Sequence, residues 1–141
     1  MEYRRFSDTF VVRLDRGEEV IASIGALCER EGIKLGCVNA IGAVNEATLG
    51  CFDTGTKQYH SRDYAGIYEI ACLSGNISTQ NGKPYLHIHA VLADESGNAF
   101  GGHLNRAVVS ATCELFIRVL DGQAGRLFSE EIGLNLITFP C

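Results

Sequence analysis

No run of about 18 apolar residues occurs in the chain, so no helix is expected to span a membrane. The opening MEYRRFSDTF carries charges with no apolar stretch behind them, so no signal peptide is read and the expected compartment is the cytosol. Lysine and arginine form neither a stripe nor a tail. Arg4, Arg5, Arg13, Arg16, Arg30 and Lys34 are scattered, no Gly-Arg-Pro hook of the minor-groove type is present, and the formal net charge is −5. A broad electrostatic hold on DNA or RNA needs clustered cations, so this balance speaks against nucleic acid as a partner. Internal repeats, linkers and Cys-x-x-Cys pairs are also missing. Most of the six cysteines (Cys28, Cys37, Cys51, Cys72, Cys113 and Cys141) lie in apolar runs such as IACLSG and SATCELFI. They are expected to be reduced core thiols rather than a disulfide frame or a thiolate zinc site, with the terminal Cys141 at the surface.

What is present suits a single folded domain, residues 1–141, long enough for one core and too short for a second. TFVVRLD, from Thr9, alternates as a strand does. DRGEEVIASIGALCEREG then has helical spacing, with Val20, Ile24, Leu27 and Cys28 on one face. Asp15 is expected to cap this helix with Glu18 three residues on, and Gly32 to end it. Strand patterns fill the rest. KLGCVNAIGAV and EATLGCFD flank a turn expected at Val44 to Glu46, and KQYHSRDY follows. IYEIACLSGNIS is apolar enough for burial on both faces, and NGKP is an Asn-Gly turn. YLHIHAVLA, NAFGGHL, VVSATCELFIRVL, GRLF and LNLITF close the chain. About eight strands and one helix make an antiparallel α+β domain.

Three of the four histidines fall in PYLHIHAVLADESGNAFGGHL. Residues two apart on a strand point to the same face, so His87 and His89 lie together while Leu86, Ile88, Ala90 and Leu92 face the core. A three-residue loop, Glu95-Ser96-Gly97, gives Gly97 the left-handed position and pairs Asp94 with Asn98. Counting outward, His89 falls opposite His103. Opposed Cβ atoms are ~5 Å apart and diagonal ones ~7–8 Å, within reach of one metal ion at ~2.0–2.1 Å Zn–N. The Gly101-Gly102 pair signals either a bulge or a close backbone approach. A lone strand histidine is usually structural or exposed, but three on one face of a matched hairpin point to metal. Three imidazoles and a water form an open site of the catalytic kind. Asp94, Glu95 and Glu114 are the candidates for a fourth ligand, and His60, in a polar strand, is expected to be exposed. Asn39, Asn105, Arg106, Glu114 and Arg126 are candidate pocket residues, and Ser74-Gly75-Asn76 is a segment able to line the same pocket. A cupin also uses HxH, a Glu and a later His, but here Glu95 lies too far past His89 and His103 arrives within the same hairpin.

GNIS, GKPYLHIHAVLADESGNAFGGHL and CELFI, with GCVNAIGAV and GIYEIACLSGNIS upstream, resemble the PPC (plants and prokaryotes conserved) domain, also called DUF296. The resemblance covers nearly the whole chain. It implies a strongly bent antiparallel sheet with one main helix, assembled as a homotrimer, and a zinc ion on His87, His89 and His103. Bacterial members are described as having a PD1-like DNA-binding motif, whereas plant members join the domain to AT-hooks, which this chain lacks. The expected function is therefore that of a small trimeric protein with a three-histidine metal site, its reaction left open and a small molecule its candidate ligand. A DNA-associated regulator and an oligomerisation scaffold stand as alternatives.

Overall fold

The computed structural model describes residues 1–139, so the expectation for Cys141 lies outside the described residues. The chain runs β1 (Glu2–Phe6), β2 (Thr9–Asp15), α1 (Val20–Glu31), β3 (Gly36–Asp53), β4 (Gln58–Gln80), β5 (Lys83–Ala93), β6 (Ala99–Val119), β7 (Gly125–Ser129) and β8 (Leu134–Thr138). One helix and antiparallel strands agree with the expected α+β class.

The main sheet has the order β1-β2-β6-β3-β4-β5, and β5 pairs again with β6. The pairings β6–β3–β4–β5–β6 therefore close on themselves. Flat strands cannot do this, and β3, β4 and β6 manage it through length and register shifts, for example between Ala40 and Gly42 and between Val44 and Glu46. This corrects the turn expected at Val44 to Glu46. The chain stays in β3 there, because Val44 and Glu46 both keep partners on β4 and β6. Likewise KQYHSRDY and IYEIACLSGNIS form one strand, β4, and NAFGGHL joins VVSATCELFIRVL as β6.

Helix α1 buries Val20, Ile24, Leu27 and Cys28, the face predicted from spacing, against β5 and β6. Its start differs from expectation. Asp15 is the last residue of β2, paired with Thr112, so it cannot cap. Glu19 does so, accepting from the backbone N–H groups of Ile21 and Ala22, while Glu18 reaches back to the Asp15 N–H at 2.7 Å. Gly32 ends the helix at φ 66°.

The core lies between α1 and the sheet and within the ring of strands, with Leu14, Leu73, Ile77, Ile88, Leu92, Leu115 and Ile117 fully buried. β4 buries Ile70, Leu73 and Ile77 on one face, whereas the other is exposed at Ile67 (77%), Glu69 and Ala71 and closes over only at Ser78, which corrects the expectation of two buried faces. The cysteine expectation is also corrected. Cys28 and Cys113 are buried, and burial pushes both thiols up to about 12. Cys37, Cys51 and Cys72 are exposed, because their faces of β3 and β4 carry no second layer in the single chain. The chain has no helix long and apolar enough to cross a membrane among the described residues.

Candidate metal centre

The three histidines are held by the β5–β6 hairpin. Its turn forms as the sequence predicts: Gly97 takes φ 81°, its N–H bonds to the Asp94 carbonyl at 2.9 Å, and the Asp94 N–H bonds to the Asn98 carbonyl at 3.0 Å. The ladder then runs without a shift from Ala93 opposite Ala99 to His89 opposite His103. Of the two roles open to the glycine pair, close approach is the one realised. A Cβ on Gly102 would sit 2.6 Å from the Gly50 carbonyl oxygen, so only glycine lets β3 lie this close behind His103.

All three side chains emerge on the same side. The ring centroids of His87, His89 and His103 stand 5.1 to 5.5 Å apart. One ring nitrogen from each lies within 4.8 Å of the others, and the Nε2 atoms of His87 and His89 are 3.2 Å apart. Two nitrogens bound tetrahedrally to one zinc at ~2.0–2.1 Å would be separated by about 3.3 Å, the spacing that His87 and His89 already have. Burial lowers the pKa of His87, aided by His89 and then Arg126. The same holds for His103, aided by His87 and then His89. Both rings are thereby kept neutral, the state that ligates metal.

The surrounding residues sort by position. Tyr59 stands nearly perpendicular to the His103 ring, with centroids 6.2 Å apart, and its hydroxyl bonds to Asn105. It reaches there across Gly50, where an added Cβ would collide with the phenol. The sequence reading did not single out Tyr59. The signal for it, a glycine on the neighbouring strand, becomes legible only once the register is known. Arg126, on β7, lies over the Tyr85 ring at 4.8 Å and bonds to Asn76 Oδ1 at 2.7 Å and Ser78 Oγ at 2.9 Å, beside His87. Asn39 donates to Ser74 Oγ at 3.3 Å, and Ser74 stands opposite His89.

Other residues lie elsewhere. Arg106 is in an exposed ion pair with Glu46 at 2.8 Å. Glu114 sits on β6 between Arg13 of β2 and Ile41 of β3, with β3 and β4 separating that stretch from β5. Asp94 accepts from the Asn98 side chain and from the backbone N–H groups of Asn98 and Ser96, which hold its carboxyl below the usual range and keep it in the turn. Glu95 is exposed at the hairpin tip, and His60 is exposed opposite Cys51. No acidic residue joins the metal-competent trio among the described residues.

The profile of the Plants and Prokaryotes Conserved (PCC) domain matches residues 1–121. The chain belongs to the PCC family. The PCC fold is also that of several solved structures. A proposed DNA-binding protein from Bacteroides thetaiotaomicron is 30% identical with a TM-score of 0.96, covering 98% of this chain and 96% of that one. A metal-containing protein from Archaeoglobus fulgidus is 37% identical with a TM-score of 0.89, covering 98% and 97%. A plant- and prokaryote-conserved protein from Pyrococcus horikoshii is 30% identical with a TM-score of 0.85, covering 99% and 95%. No curated protein matches the chain. The PCC match ends before β7, so Arg126 reaches Asn76, the residue opposite His87, from outside the matched segment.

Proposed function

We propose that this PCC protein is a cytosolic homotrimer in which His87, His89 and His103 hold one zinc ion with an open coordination position. The observation that carries the metal reading is the convergence of three ring nitrogens within 4.8 Å on one sheet face. The Archaeoglobus relative, described as metal-containing, supports it. Zinc is favoured over other first-row metals by a small all-imidazole set, the tetrahedral spacing of His87 and His89, and the lack of a carboxylate. When bound with three protein ligands, zinc supplies a Lewis acid that polarises a carbonyl or a water. The protein's part is to keep His87 and His103 neutral, to aim all three rings through a rigid hairpin, and to place Tyr59, Asn105 and Asn76 around the open side.

The trimer is supported by exposed apolar surface. Ile41 and Phe116 are 60% and 57% exposed on the uncovered sheet face, and the β7–β8 hairpin exposes Leu127, Phe128 and Leu136. Apolar clusters of this kind mark association surfaces.

The description of the Bacteroides relative favours a second reading, a DNA-associated regulator. Charge opposes it: the net charge is −5, and Arg13, Arg106 and Arg118 are each committed to carboxylates. Elemental analysis of protein purified without chelator tests the first reading, with one zinc per chain expected. No metal, and none taken up after demetallation, would remove it. A mobility-shift assay on mixed and AT-rich duplexes at low salt tests the second, since phosphate-driven binding is strongest there. In a His89→Ala variant, a trimer that persists without metal would set aside a purely scaffolding role for the histidines.

A further inference from the structure

We propose that the metal centre takes a carboxylate-bearing small molecule, with the Asn76 amide and the Ser74 hydroxyl receiving the carboxylate oxygen not bound to the metal. This rests on the metal reading above and names the ligand class of that same site.

Ser74 and Asn76 are the β4 residues directly opposite His89 and His87, so their side chains rise on the same face, with Cβ atoms ~5 Å from those of the histidines. Asn76 is oriented by Arg126, whose Nη2 donates to Oδ1 at 2.7 Å. A guanidinium has donors only, so this bond decides which end of the amide faces it. The oxygen points to Arg126 and the NH₂ end is turned away, and among the described residues nothing accepts from it. Arg126 is itself pinned by Ser78 Oγ at 2.9 Å, by the Asn135 carbonyl at 3.1 Å and by the face of Tyr85. Groups from β4, β5, β7 and β8 are thus spent on fixing one amide donor. Ser74 shows the same arrangement in smaller form. Its oxygen accepts from Asn39 Nδ2, which leaves its hydroxyl hydrogen to turn toward the histidines.

Donors with no protein acceptor, held beside a metal-binding trio, suit an anionic or strongly polar acceptor. The Arg126 guanidinium is bonded to Asn76, the residue opposite His87, and its positive charge favours negative charge in the same place. One guanidinium, already committed to three protein oxygens, suits a single negative charge rather than the two of a phosphate. A planar carboxylate can put one oxygen on the metal and offer the other to the β4 donors.

The test uses the full-length protein loaded with Co(II), whose visible bands report the metal's surroundings, with acetate as the probe. Wild type is expected to bind one Co(II) per chain and to show a saturable band shift with acetate. Asn76→Asp keeps the acceptor facing Arg126 but replaces the donor with a carboxylate. It should retain Co(II) and need at least about 10-fold more acetate, the scale of a lost hydrogen bond to a charged group. Ser74→Ala should move in the same direction, and serves with Asn76→Ala if Asn76→Asp does not fold. Equal acetate affinity in wild type and these variants, or tighter binding of inorganic phosphate than of acetate, would overturn the inference and leave the metal reading standing. Absence of Co(II) bands in wild type before any acetate is added would overturn both.

Discussion

The Nε2 atoms of His87 and His89 face each other at 3.2 Å across a single turn of the strand pleat. Two neutral imidazoles can share one proton at that distance, but they cannot both present a lone pair there without repulsion unless a cation lies between them. With His103 delivered from the opposing strand, the hairpin becomes a three-point chelator whose geometry is set by backbone pairing rather than by flexible loops.

Removing one ring should therefore cost more than loosening a supporting contact. Supporting partners of metal ligands are typically worth 10–100-fold in affinity, so His89→Ala or His103→Ala is expected to lower zinc affinity by more than about 100-fold. Competition against a chromophoric chelator measures this. The fold should survive, since His89 is exposed and His103 lies outside the buried core.

The backbone behind the site should matter as much as its ligands. Gly102→Ala places a methyl 2.6 Å from the Gly50 carbonyl oxygen, and β3 must then move away from β6 beside His103. A destabilisation of about 1–3 kcal/mol is expected by urea unfolding, in the range of overpacking changes, together with weakened zinc retention. Gly97→Ala strains the turn itself, because φ there is 81°, and should lower stability without a comparable clash.

The metal-free protein should lose stability in mild acid. His87 and His103 have folded pKa values below the ordinary imidazole value, chiefly through burial. The unfolded chain therefore binds more protons than the folded one, and stability rises with pH. Their contribution is complete above about pH 6.5, the unfolded value, and falls away as pH drops through the lower folded values. Urea midpoints of the demetallated protein at pH 8, 6.5 and 5 should show this decline, and a His87→Asn/His103→Asn double variant should flatten it. Zinc retention should fall over the same window, since protons compete for the ring nitrogens.

Much of this site is legible in the sequence because its determinants are local. A single loop count around Gly97 places His89 against His103, and strand alternation puts His87 on the same side. The face of α1 is equally plain from spacing. The features that escape are non-local. Tyr59 reaches Asn105 only because Gly50, on another strand, has no side chain in the way. The bends in β3 read as a chain break, since the residues around Val44 resemble a turn until their partners on β4 and β6 are known. Exposed Cys37 and Cys72 read as core because apolar sequence alone does not distinguish a buried sheet face from an uncovered one.

The proposed trimer is itself testable. Phe116→Asp places a charge at the middle of the uncovered sheet face, and Leu136→Asp does so on the β8 hairpin strand; both side chains are exposed in the single chain. Sedimentation equilibrium is expected to give a trimer for the unaltered protein and a lower mass for either variant. Unchanged mass in both would move the interface elsewhere.

X-ray absorption at the zinc edge on protein purified without chelator bears most directly on the account. Three imidazole nitrogens at ~2.0–2.1 Å, with one further oxygen at a similar distance and no sulfur, are predicted for one zinc per chain. A sulfur shell near ~2.3 Å would place the ion on exposed thiols such as Cys37 or Cys72 instead, and that result, or a protein that binds no zinc with its three histidines intact, would contradict the account.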